Sequence, residues 1–126
     1  MVAEELCLKR LLLPVDFAAK QAHHGLFFNQ GQVCCAGSRV FVEGKVYDEF
    51  IAKSKALAEK RVLGDPFDLK TEQGPQVDND QLQTIIRYVE CGKKEGAQLV
   101  TGMHDLNNYS KVRLVLELKA VPHCRT

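Results

Sequence analysis

The chain has 126 residues, 45% of them hydrophobic and 26% charged, with 17 basic against 16 acidic side chains. A chain of that length is expected to hold one small domain rather than a large multidomain enzyme, and the balanced charge offers no field that would select nucleic acid or an anionic membrane surface. The longest aliphatic run, Leu11 to Leu13, is far short of the roughly 20 apolar residues of a spanning helix, and Glu4 and Glu5 argue against a secretory or transit peptide, so a soluble chain of the cytoplasm is expected.

In chain order, Pro14 ends what precedes it and Asp16 is a strong N-cap, which predicts a first helix from Asp16 to about Phe28. Ala18, Ala22, Leu26 and Phe27 fall at helical spacing and form its packing stripe. His23 and His24 lack a partner at metal-ligand spacing, so no metal site is expected; one imidazole should point out and one should pack. A short strand follows at Arg39 to Glu43, β-branched and aromatic and closed by Gly44. A second helix spans Tyr47 to Leu63 with Gly64 as its C-terminal cap, and Asp65 to Val77 reads as a surface connection. The third helix starts at Asp78, and Leu82, Ile85, Ile86 and Val89 give it the clearest period in the chain, up to Gly92. Ala97 to Thr101 reads as a strand, and Val112 to Ala120 alternates with a period of two, a possible edge strand. Helices alternating with strands predict an α/β fold with a parallel sheet.

Five cysteines, an odd and scattered set apart from Cys34-Cys35, read as free thiols in a reducing compartment rather than a disulfide scaffold. Adjacent residues seldom form an unstrained disulfide, because its geometry sets the Cα atoms about 4.4 to 6.8 Å apart. Cys34 and Cys35 are therefore expected to be separate thiols. The informative segment is Phe27-Phe-Asn-Gln-Gly-Gln-Val-Cys-Cys-Ala-Gly-Ser-Arg39, where a helix enters, two glycines bracket the thiols and a strand leaves. Such a turn can present a side chain and expose backbone N–H groups, which suits a nucleophilic thiolate. Residue types alone leave two readings open, a buried structural cysteine pair and a catalytic one.

Phe27, Gly31, Gln32, Cys34, Ala36 and Ser38 resemble the active-site cysteine signature of the NAD(P)-dependent aldehyde dehydrogenases. Tyr47-Asp-Glu-Phe50, Gly64-Asp-Pro-Phe67, Thr71-Glu-Gln-Gly-Pro-Gln-Val77 and Gly92-Lys-Lys-Glu-Gly96 continue the likeness, toward the class that oxidises acetaldehyde and retinal. It is clear from Asp16 to Gly102, so residues 1–102 are identified as part of an aldehyde dehydrogenase catalytic domain and 103–126 as a divergent tail. The resemblance implies an oxidoreductase that takes an aldehyde to a carboxylic acid with NAD or NADP, through a thiohemiacetal on a catalytic cysteine, Cys34. It implies an aldehyde tunnel lined by Phe28, Val33 and Cys35, for each of which plain core packing is the other reading. It also implies that Gln81 lies near the cofactor ribose, where Thr84 replaces a common second ribose contact, a Lys.

The family's general base is the Glu of a Glu-Leu-Gly-Gly-Lys motif, to which Glu5-Leu6-Cys7-Leu8-Lys9 is similar with both glycines replaced. Glu5 is therefore either that base or a solvated glutamate near a frayed end. The phosphate-cradling loop, the oxyanion Asn and the downstream ribose motif of the family have no counterpart in the sequence, so the chain alone is expected not to hold NAD. The alternative is a truncated, non-catalytic product that at most associates with full-length family subunits.

Overall fold

The computed structural model describes residues 14–102 in full and the backbone of residues 5–8 and 114–117. The chain divides into two compact units, residues 1–60 and 61–126.

In the first unit, β1 (Glu5–Leu8) pairs in parallel with β2 (Arg39–Val42), Glu5 opposite Arg39 and Leu8 opposite Val42. Between them α1 (Val15–Phe27) starts one residue before Asp16; Pro14 stands at the N-cap and Asp16 lies in the first turn, where its charge meets the positive end of the helix dipole. After β2, α2 runs Tyr47–Lys60. The core follows from the small faces of α1: Ala19 and Ala22 are buried and let the ring of Phe50 on α2 approach. Val40 and Val42 pack on this cluster while Arg39 and Phe41 point outward, the period of two of a half-covered strand. Lys53 on α2 ties the helices from outside, its Nζ 2.7 Å from Asp16 and 2.8 Å from Glu49. These ion pairs hold the Asp16 carboxyl below, and the Lys53 ammonium above, its ordinary range, the Asp16–Lys53 hydrogen bond being the main cause for both.

In the second unit, the connection expected over Asp65 to Val77 is more ordered than its composition suggests. Leu63 and Gln73 form a parallel bridge, and the amides of Glu72 and Gln73 donate to the Val62 carbonyl. Gly64 serves this clip, its N–H donating to Gln73, and does not cap α2, which has already ended at Lys60 rather than Leu63. Asx turns at Asp65 and Asp68 shape the tip.

The third helix, α3 (Asn79–Lys94), is capped by Asp78, whose Oδ1 accepts the Gln81 amide at 2.8 Å. It passes through Gly92 and ends one turn later: Gly96 takes φ +94°, its N–H donates to Lys93, and Ala97 donates to Gly92. That reciprocal pair is a Schellman end, so the capping glycine is Gly96. Leu82 and Val89 are buried as expected, whereas Ile85 and Ile86 are only half-buried, since the apolar stripe is wider than the strip of core it meets.

β3 (Gln98–Gly102) then pairs antiparallel with β4 (Leu114–Glu117), with a bulge between Leu99 and Thr101. β4 falls within the expected edge strand; the rest of Val112 to Ala120, and Cys124, lie outside the described residues. Among the described residues no helix is long and apolar enough to cross a membrane.

Candidate active site

The loop between α1 and β2 carries both thiols. α1 ends at Phe27, where the Phe28 N–H still donates to the His24 carbonyl, and the chain then turns left-handed for three residues: Asn29 (φ 48°, ψ 39°), Gln30 (φ 59°, ψ 23°) and Gly31 (φ 75°). Glycine suits the third place, because a Cβ on Gly31 would sit 3.2 Å from the Leu26 carbonyl oxygen. The Gln32 N–H donates to the Asn29 carbonyl at 3.0 Å, and Asn29 Nδ2 donates back to the Gln32 carbonyl at 3.0 Å.

Beyond this lock, Val33 to Ala36 form a β-turn closed by the Ala36 N–H on the Val33 carbonyl at 3.1 Å, with Cys34 and Cys35 at its centre. The far side is tied down by the Gly37 N–H donating to the Gly25 carbonyl at 3.2 Å, back on α1. Cys34 and Cys35 are both exposed and free, which overturns the buried-pair reading and agrees with two separate thiols. Their own amides donate to no acceptor among the described residues.

The other predicted site residues fall as follows. Val33 is half-buried and Phe28 is 58% exposed, so Phe28 and Cys35 are not core residues of the first unit. Phe28 leans on His24 with ring centroids 5.7 Å apart, and half-buried His23 stacks on Phe27 at 4.4 Å, one imidazole out and one packed. The Glu5 backbone lies on β1, paired to the strand that leaves the cysteine turn; its side chain lies outside the described atoms. Gln81 is half-buried in the first turn of α3. Thr84 is committed locally, donating to the Asp80 carbonyl at 2.8 Å and accepting from Arg87 at 3.1 Å.

Cys91 makes an instructive contrast. Its Sγ donates to Glu95 Oε1 at 3.4 Å, and that hydrogen bond together with the carboxylate charge pushes its pKa up, away from the thiolate. The residues that sequence reasoning did not single out are Asn29 and Gly25; the signal for the first was an Asn two places before a glycine at a helix end, where left-handed backbone is tolerated.

The aldehyde dehydrogenase family profile matches residues 13–116. Over 88 residues, 70% of this chain, the sequence is 59% identical to human mitochondrial aldehyde dehydrogenase and 60% identical to the mitochondrial benzaldehyde dehydrogenase of Antirrhinum majus. The chain spans only 17% and 16% of the length of those two relatives. The fold superposes with a TM-score of 0.79 on the NAD+ complex of an aldehyde dehydrogenase from Bacillus cereus, at 30% identity, covering 90% of this chain and 23% of that one. With the profile matching most of its length and the fold agreeing, the chain belongs to the aldehyde dehydrogenase family.

Proposed function

We propose that the chain carries the nucleophile of an NAD(P)-dependent oxidoreductase that converts aldehydes to carboxylic acids, and that Cys34 is that nucleophile. The observation that carries this reading is the Val33 to Ala36 turn, which holds an exposed free thiol beside two amide donors unused by the described residues. Addition of a Cys34 thiolate to an aldehyde carbonyl forms the C–S bond and moves the π pair onto oxygen, giving a thiohemiacetal oxyanion. The amides of Cys34 and Cys35 are the donors that the turn offers to that charge, and one well-placed donor of this kind is worth about 10² to 10³ in rate.

Phe28, Val33 and Cys35 are proposed to line the approach of the aldehyde: Val33 and Cys35 flank Cys34 in sequence, and Phe28, just past the end of α1, is exposed as Cys35 is. Glu5 is proposed as the general base for water, on the strand paired to β2. The free thiols at Cys34, Cys35 and Cys91 support a reducing compartment, of which the cytoplasm is the one proposed.

The described residues do not by themselves fit a dinucleotide. Gln81 is a single candidate for a ribose contact, and the Thr84 hydroxyl is already engaged within α3. The chain's own share of the chemistry is therefore the Cys34 addition and, through Glu5, the activation of water.

Mass-mapped alkylation with limiting iodoacetamide tests the reading. Cys34 should label faster than Cys91, and millimolar propionaldehyde should slow Cys34 while leaving Cys91 unchanged. Faster labelling of Cys91, or no protection by aldehyde, would refute Cys34 as the nucleophile.

One observation favours a second reading, a non-catalytic chain that associates with longer family subunits. Phe67 and Leu69 are fully or almost fully exposed and Val77 is 81% exposed, all in the second unit, and exposed apolar side chains are the material of contact surfaces. Co-purification of the tagged chain with a full-length family subunit would support it, and loss of that association in a Phe67→Ser, Leu69→Ser variant would assign the surface.

A further inference from the structure

We propose that Asn29 is a positioning residue for Cys34: its side-chain carboxamide locks the left-handed segment that sets the β-turn bearing the two thiols. This rests on the reading of Cys34 as the nucleophile. Two consecutive non-glycine residues, Asn29 and Gln30, hold left-handed backbone immediately before Gly31, and such conformations persist only where the surroundings impose them.

At Asn29 what imposes it is visible. Asn29 Nδ2 donates to the Gln32 carbonyl, and the Gln32 N–H donates to the Asn29 carbonyl, both at 3.0 Å. The two bonds close a ring around the left-handed residues at Gln32, whose carbonyl carbon is bonded to Val33, the first residue of the cysteine turn. The other side of the turn is tied to α1 through Gly37 and Gly25, so Cys34 and Cys35 hang between the Asn29 ring and that bond. Without the carboxamide, the near anchor loses its side-chain bond, and the left-handed backbone at Asn29 is held less firmly. The thiols would then be presented as in a loose loop.

Two variants separate the carboxamide from the backbone preference. Asn29→Gly keeps left-handed freedom and loses the donor; Asn29→Asp keeps the left-handed tolerance and turns an acceptor toward the Gln32 carbonyl. The measured quantity is the ratio of Cys34 to Cys35 alkylation by limiting iodoacetamide, in the native full chain and in the same chain in urea, with the Cys91 rate and the melting temperature followed in parallel. Loss of one ordinary hydrogen bond shifts a local equilibrium about fivefold. The wild-type ratio should therefore differ from its urea value by about fivefold or more, and both variants should bring it to within about twofold, with the Cys91 rate and melting temperature unmoved.

If Asn29→Asp unfolds the unit, the melting temperature reports it and Asn29→Gly decides. Variants that keep the native ratio, or a wild-type ratio equal to that in urea, would overturn the proposal. Neither outcome depends on aldehyde, so a failure here is distinct from a failure of Cys34 to be protected by propionaldehyde.

Discussion

Replacing Gly31 by alanine tests the backbone of the candidate site, and replacing Gly25 by alanine supplies the opposite sign within the same unit. At Gly31 the backbone holds φ +75° and an added Cβ would stand 3.2 Å from the Leu26 carbonyl oxygen and 3.9 Å from a Leu26 methyl carbon. Left-handed backbone costs an L-residue with a Cβ about 1 to 2 kcal/mol, and the backbone oxygen can yield only by moving the last turn of α1. Together these predict a loss of about 1 to 3 kcal/mol for Gly31→Ala. Gly25 lies inside α1 with nothing within 4 Å of its missing Cβ, so Gly25→Ala should gain about 0.8 to 1 kcal/mol from helix propensity alone. Urea titration followed by circular dichroism reads both, since a difference of about 1 kcal/mol moves the midpoint by about 0.3 to 1 M at ordinary m-values. Gly31→Asn should lose less than Gly31→Ala, because Asn tolerates the left-handed region. Shifts of the same sign for Gly25→Ala and Gly31→Ala, at unchanged m-value, would refute the assigned conformation of the loop.

Leu82→Ala should cost about 2 to 5 kcal/mol, because Leu82 is 3% exposed, and Ile86→Ala, at a half-buried position, should cost clearly less; equal costs in thermal melts would contradict the packing of α3. Glu95→Gln removes the carboxylate that holds Cys91 protonated, so Cys91 should alkylate faster near neutral pH while Cys34 does not change. The Asp16 carboxyl is held below its ordinary range by Lys53, so its stabilisation is present above that range and lost as pH falls through the depressed value. Lys53, held above its ordinary range, contributes fully below that range and loses its share as pH rises through the raised value. Lys53→Met should therefore lower the melting temperature at neutral pH, and the gap to wild type should close in strong acid; a gap independent of pH would show that the ion pairs contribute nothing.

Helix existence was legible because each helix carries its own period, and helix ends were legible only where side chains announce them. Asp78 was readable as the start of α3 and caps it, whereas Asp16, read as the cap of α1, lies in its first turn with Pro14 at the cap. The end of α3 was not readable, since Gly92 and Gly96 have the same residue type and only the Schellman hydrogen bonds choose between them. β1 was missed because Glu5 to Leu8 is too short to show a period and its order comes from pairing with β2, far along the chain. For the same reason the clip that joins Leu63 to Gln73 looks like loop in sequence, although both its edges are held by backbone bonds.

The site was legible to a different degree, because chemistry depends on which of several like side chains is presented, and residue type does not carry that. Cys34, Cys35 and Cys91 are the same thiol in composition, and all three are exposed. What separates them is local: the Glu95 carboxylate at the end of α3 pushes the Cys91 pKa up, while a β-turn anchored to α1 sets Cys34 and Cys35 beside amides that no described residue accepts from. Spacing within the Phe27 to Arg39 segment pointed to a tight turn, because glycines bracketing a thiol imply one, and the Val33 to Ala36 turn lies there. The left-handed pair before Gly31 was hidden, since Asn29 and Gln30 read as ordinary polar loop residues until the carboxamide is seen returning to the Gln32 carbonyl. A thiol becomes a nucleophile of defined direction only when both ends of its turn are tied, and here the near tie rests on a side chain whose role is visible only in three dimensions.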